Sequence, residues 1–324
     1  MRSALNLKPP VQLVDLHPPL ADFRAEVLAG LMKPEKAIAP KSLYDKRGAE
    51  LFDQICTLDE YYLTRTEMAI LQNHAAEIAQ VIGDGALIEF GSGSSRKIRI
   101  LLDAMPTLPV YVALDISKQH LQESCIALAE AYPGLKAIAV CTDYTQPLQL
   151  PEISALTNRR RIGFFPGSSI GNLEPHEAVQ FLKNAATLLR SQGSLLIGVD
   201  LKKSKAILEP AYDDPQGISA EFALNLLARI NRELKADFDL NQFGYRAFYN
   251  PIGRIEMYIV SKQDQIVHLD GIEIPFRNGE RLRTEYSYKY SIEEFQALAE
   301  SAGLRPRQVW TDEQQLFSVH WLEV

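Results

Sequence analysis

Five short apolar runs punctuate the middle of the chain: 86–90 (ALIEF), 110–115 (VYVALD), 137–141 (AIAVC), 161–166 (RIGFFP) and 194–200 (SLLIGVD). Between them apolar residues recur at helical spacing. One helix begins near Arg96, another covers 117–131, and a third sets Val179, Leu182, Ala186 and Leu189 on one face with Pro175 in its first turn. Strands that are apolar almost throughout and alternate with helices predict a parallel sheet covered on both faces.

The flanks have other textures. Upstream, 23–32 shows a helical pattern, and the stretch PKSLYDKRGAELFDQICTLDEYYLTRTEMAIL predicts short helices with a tight turn at Gly48. A longer helix is predicted over 64–82, with Met68, Leu71, Ile78 and Val81 on one face. Downstream, 291–303 is an amphipathic helix stopped by Gly303, followed by RQVWTDE and FSVHWLEV, two runs suited to a hairpin. The residues between Asp200 and Ser291 break the alternation. They predict a helix over 218–235 and then an antiparallel meander of YRAFYN, RIEMYIVS, QIVHLD and RLRTEYSYKY. A five-strand parallel run finished by a helix and an antiparallel pair resembles the class I methyltransferases. The expected fold is therefore α/β: a class I (Rossmann-like) S-adenosylmethionine (SAM)-dependent methyltransferase domain, residues 63–200 and 288–324, with an inserted smaller α+β substrate-binding domain, residues 201–287, joined in space by 10–62. The cleft between them is the natural place for a substrate.

Composition narrows the chemistry. With 34 Lys and Arg against 41 Asp and Glu, the net charge of −7 argues against a broad basic face for nucleic acid. The run Arg159-Arg160-Arg161 reads as a solvated run before a strand. Three cysteines without CxxC spacing read as reduced thiols, and the six histidines (17, 74, 120, 176, 268, 320) show no metal-ligand spacing, so no metal is expected. No apolar leader is read in the first residues and no stretch approaches the ~18 apolar residues of a membrane span. The expectation is a cytoplasmic monomer with no membrane partner.

Gly91-Ser92-Gly93-Ser94-Ser95 follows a strand and opens a helix, which lets backbone amides approach a ligand. A third glycine of the diphosphate fingerprint is missing, since position 96 is Arg; this disfavours NAD and FAD. Asp115 ends the second strand, where a carboxylate can accept from both ribose hydroxyls, or can simply cap the next helix. Asp143 follows the third strand, where it could meet an adenine amino group or serve a turn.

Seven blocks make the resemblance specific: LYDKRGAELFDQI, LDEYYLTRTE, FPGSSIGNL, AYDD, NRELKADFD, RIEMY and RTEYSYKY. In this order they resemble the L-histidine Nα-methyltransferases of ergothioneine biosynthesis. The resemblance implies SAM as methyl donor, S-adenosylhomocysteine as product, and trimethylation of the α-amino group of L-histidine to hercynine. It implies that Tyr61, Gly91, Lys97, Asp115, Asp143 and Tyr144 contact the cofactor. Tyr44 and Asn172 would hold the amine as the catalytic pair, and Tyr212 with Asn172 would receive the carboxylate. Met257, Glu285 and Ser287 would form the imidazole pocket, with Phe52 and Gly167 as further lining.

The residue types suit that chemistry. A phenol and an amide orient a neutral amine without an ion pair that would keep it protonated, and Glu285 can accept from an imidazole N–H. Read singly, Tyr44, Tyr61 and Tyr212 also fit core tyrosines, Met257 fits strand packing, Glu285 and Ser287 a solvated strand edge, Asn172 a helix start and Lys97 a solvated helix position. Alternatives are Nα-methylation of another aromatic amino acid such as tryptophan, whose indole needs no paired carboxylate, and a non-catalytic SAM-binding regulator.

Overall fold

The computed structural model describes residues 11–16, 21–93 and 95–324; His17 and Ser94 lie outside them. The chain opens with β1 (Gln12–Asp15) and α1 (Ala21–Leu31), then passes a 3₁₀ turn at Pro40–Leu43 into α2 (Lys46–Ile55), α3 (Tyr62–Asn73) and α4 (Ala75–Ile82). The apolar runs follow as β2 (Ala86–Phe90), β3 (Val110–Asp115), β4 (Lys136–Cys141), β5 (Arg161–Phe165) and β6 (Ser194–Asp200), with α5 (Arg96–Ala104), α6 (Lys118–Ala131) and α7 (Pro175–Leu189) among them. Next come α8 (Lys205–Leu208), α9 (Ile218–Leu234), β7 (Phe243–Asn250), β8 (Arg254–Ser261), β9 (Gln265–Leu269), β10 (Ile272–Phe276) and β11 (Arg281–Tyr288). The chain finishes with α10 (Ile292–Ser301), β12 (Arg305–Thr311) and β13 (Phe317–Glu323).

The large sheet has the order β1-β4-β3-β2-β5-β6-β13-β12, parallel from β1 to β6 and antiparallel over the last two strands. This is the class I (Rossmann-like) layout. Every residue of β2 and β6 is buried, because successive side chains enter two different cores. Leu87, Tyr111, Ala139 and Phe164 face one; Ile88, Val112, Val140 and Phe165 face the other. The order reverses direction around β2, which puts a ligand crevice at the carboxyl ends of β2 and its neighbours. Among the described residues no helix is long and apolar enough to cross a membrane.

Four details depart from the sequence pattern. The helix expected over 64–82 is two helices, broken at His74, whose backbone (φ −112°, ψ 12°) ends α3 and starts α4. No glycine or proline marks that break, so apolar spacing runs straight through it. Gly48 makes no tight turn. It lies in the first turn of α2, where an added Cβ would stand 1.8 Å from the Leu43 carbonyl oxygen, and its N–H donates to the N-cap Asp45. The expected meander is a three-stranded sheet, β11-β8-β7, plus a separate β9–β10 hairpin. The overlooked β10 turns at Asp270-Gly271, both at positive φ as a tight hairpin requires. Finally, Gln12–Asp15 pairs with β4 on the large sheet, although 10–62 was grouped with the insertion. Farther along, Ala37 bridges to Arg283 of β11, and Asn225 and Arg232 of α9 donate to Asp45.

Candidate active site

A cavity of about 680 Å³ opens at the carboxyl ends of β2, β3, β4 and β5. Tyr61, Gly91, Lys97, Asp115, Asp143 and Tyr144 all line it. Gly91 (φ +75°) turns the chain out of β2, and a Cβ there would lie 2.9 Å from the Tyr144 hydroxyl. The Tyr144 ring meets Phe90 and Phe165 edge-on. Asp115 accepts from the Ser117 N–H at 2.9 Å and, more loosely, from Gly93 at 3.4 Å; burial raises its pKa, these bonds opposing. Asp143 is engaged on both oxygens, by Thr145 on one and by Lys41 at 3.0 Å on the other. Although burial works the other way, these partners hold its pKa below the usual range. Lys97 reaches Glu67 at 2.5 Å, and Glu67, wholly buried in α3, accepts the Gly167 N–H at 2.8 Å and 3.0 Å. Lys97 therefore also neutralises the carboxylate that anchors the Pro166-Gly167 loop.

A second cavity, about 70 Å³, adjoins the first. Tyr44, Phe52, Gly167, Asn172, Tyr212, Met257, Glu285 and Ser287 all line it, and Tyr44, Phe52, Tyr61, Gly167 and Asn172 are among the residues that border both cavities. Distant segments meet here. Tyr44 follows the 3₁₀ turn and stands edge-on to Phe52 of α2 and Phe222 of α9. Asn172 ends a 3₁₀ turn (Ser169–Asn172) after β5, and its amide donates to Glu285 Oε1 at 2.6 Å. Glu285 faces Met257 across the β11–β8 pair, just past a register shift after Arg283 that re-aims the strand. Burial pushes the Glu285 carboxyl up to about 8, against the pull of Lys289 and Asn172. Burial also raises the Tyr44 phenol well above its usual value, so it is a neutral hydroxyl and no ready base.

Behind this cavity lies a polar cluster that sequence reasoning missed. Lys289 contacts Ser287 (2.7 Å), Tyr212 (2.6 Å) and Asp200 (2.7 Å), while Asp200 also binds Lys203 (2.6 Å) and the Tyr62 hydroxyl (2.8 Å). One signal was available, since Glu285, Ser287 and Lys289 continue a single alternation. Glu67 offered another, as a lone charge on the apolar face of α3 with Leu63, Ile70 and Leu71.

Comparison with known proteins shows the family. Residues 23–324 match the family described as histidine-specific methyltransferase, SAM-dependent. The chain belongs to that family. It is 42% identical over 297 residues to a histidine N-alpha-methyltransferase of Mycolicibacterium smegmatis, covering 90% of this chain and 91% of that one. It is 34% identical to ergothioneine biosynthesis protein 1 of Neurospora crassa, covering 83% of this chain and 31% of that longer one. An L-tryptophan methyltransferase of Psilocybe serbica is 28% identical, over 90% of both chains. The large cavity of this methyltransferase suits the donor that its family requires. The hydroxyls of Ser92 and Ser95 are buried on its wall without a protein partner, and the glycine turn leaves backbone open to a ligand. Among the described residues no group of three or more His, Cys, Asp or Glu could hold a metal ion.

Proposed function

We propose that this enzyme transfers methyl groups from SAM to the α-amino nitrogen of L-histidine three times, giving hercynine for ergothioneine synthesis. The observation that carries the reading is the small cavity: a buried carboxylate, Glu285, and a hydroxyl, Ser287, line it together with Asn172 and Tyr44, which also border the large one. Bound SAM supplies an electrophilic methyl group on a sulfonium, a donor that needs chiefly alignment. In this reading Gly91, Asp115, Asp143, Tyr144, Tyr61 and Lys97 hold the donor. Tyr44 and the Asn172 carbonyl orient the free amine lone pair, one of the two Asn172 amide N–H groups being held by Glu285 and the other left for the carboxylate. Tyr212 and Asn172 take the carboxylate, and Phe52, Gly167 and Met257 limit the space around the ring. Glu285 and Ser287 pair with the imidazole nitrogens, so a side chain without them leaves buried polar groups unpaired.

The proposal includes two units, divided at residues 63–200 with 288–324 and 10–62 with 201–287, although 12–15 pairs on the large sheet. It includes a cytoplasmic monomer without a metal. The three unpaired thiols, Cys56, Cys125 and Cys141, support a reducing compartment. Mass spectrometry of the protein incubated with SAM and the twenty amino acids tests the reaction. Histidine gaining three methyl groups alone is the expected outcome, and methylation of another amino acid overturns the pocket assignment.

A further inference from the structure

We infer that Lys289 is a positioning residue that sets the hydrogen-bond polarity of the small cavity, so that it selects a neutral ring with one N–H and one bare nitrogen. The inference rests on the histidine reading above. The Lys289 side chain is completely buried, and its three N–H groups are all engaged, by Asp200 Oδ2, the Tyr212 hydroxyl and Ser287 Oγ. An ammonium only donates, so both hydroxyl oxygens must accept from it. These oxygens lie 3.0 Å apart, and one of the two hydroxyl hydrogens bridges them. The other hydrogen has no place within the cluster and turns to the cavity that both residues line. With Lys289 donating to both oxygens, each hydroxyl can turn its hydrogen to a bound ligand, Ser287 toward the ring and Tyr212 toward the carboxylate.

The facing wall has the opposite character. Above about pH 8 Glu285 is ionised and only accepts, and Asn172 occupies one of its oxygens. A neutral imidazole fits the two walls in one orientation, its N–H on Glu285 and its bare nitrogen on the Ser287 hydroxyl. Burial works against the Lys289 charge, but Asp200 and Tyr212 more than offset it, so the lysine stays a cation. Asp200 is in turn held by Lys203 and Tyr62. Removing the ammonium frees the Ser287 and Tyr212 hydroxyls to rotate and offer lone pairs instead, and the polarity is lost.

The test compares kcat/KM for L-histidine with that for an alanine carrying a carbon-linked pyrrole, which keeps a ring N–H and lacks the bare nitrogen. In Lys289→Met the preference for histidine is expected to fall about tenfold or more, mainly through the KM for histidine. A purely structural lysine would weaken both substrates alike, and an unchanged ratio overturns the inference while the reaction assignment stands. Wild-type protein that fails to methylate histidine at all overturns that assignment and this inference with it. Should the single variant not fold, Asp200→Asn with Lys289→Met carries the same comparison without an uncompensated carboxylate. A second measurement needs no variant: the ¹⁵N spectrum of ring-labelled L-histidine bound to wild-type protein with S-adenosylhomocysteine. One protonated and one bare ring nitrogen is the expected result, and an imidazolium overturns the inference.

Discussion

The two cavities meet at Tyr44, Phe52, Gly167 and Asn172 yet are built on different principles. The large one is mainly a property of the sheet: the glycine turn after β2 and the carboxylates Asp115 and Asp143 where β3 and β4 stop come together because parallel strands end at one edge. The small one is a property of side chains delivered by α2, the loop after β5, the turn before α9, β8 and β11. Its polar groups are buried and oriented by others behind them, with Lys289 on Ser287 and Asn172 on Glu285. The lesson is that a strand-end site tolerates many ligands of one shape. Selectivity instead comes from a pocket where each buried polar atom must find a partner.

That contrast can be broken most directly at Asp115. Asp115→Ala is expected to weaken S-adenosylhomocysteine binding about a hundredfold through the lost carboxylate hydrogen bonds, with histidine affinity much less affected. Calorimetry on both ligands checks it, and equal losses would mean that the two regions do not act separately. Next, Glu285→Ala with Met257→Val should lower the kcat/KM preference for histidine over tryptophan by tens of fold, because an imidazole partner and pocket-filling volume both disappear. An unchanged ratio would sink the placement of the ring. Gly91→Ala should weaken SAM binding about tenfold, by strain at φ +75° and by contact with the Tyr144 hydroxyl. Adding Tyr144→Phe should restore part of that loss in a binding titration, the part due to the contact.

The smallest effect is on stability. Glu285 keeps its proton up to about pH 8 in the folded protein, above its unfolded value. Its contribution is thus intact below the unfolded pKa and is lost as pH rises through about 8. Glu285→Gln should match the wild type in melting temperature near pH 5 and exceed it by a few degrees at pH 9, a change read by thermal unfolding in the absence of ligand. The same substitution should lower activity above about pH 8, where a carboxylate with two acceptor oxygens is replaced by an amide whose single acceptor is already taken by Asn172.

How far each region could be read in advance follows from the same contrast. The strands ALIEF, VYVALD and SLLIGVD have the predicted ends, because full burial on two faces leaves no alternative to an apolar run with a polar stop. The residues of the small cavity were named through motif blocks, and those of the large one mostly at the GSGSSRK turn and the strand ends; spacing alone left the tyrosines, Met257 and Glu285 open to plainer explanations. Glu67, Asp200 and Lys289 escaped notice. The alternation through Lys289 and the lone charge on α3 were visible, but the partners that give them meaning, Lys97 and Gly167 for Glu67 and Asp200 and Tyr212 for Lys289, are reached only by folding.

Local interactions therefore determined the alternating strands and helices, the glycine turn and the carboxylates at the strand ends, because backbone geometry and burial act over a few residues. The tertiary structure alone decided that helix 64–82 breaks at His74, that residues 12–15 join the large sheet, and that Lys289 stands behind Ser287 and Tyr212. Those outcomes depend on contacts between segments far apart in the chain, where the cost of burying a charge or a hydroxyl is settled by whichever partner the fold brings within about 3 Å.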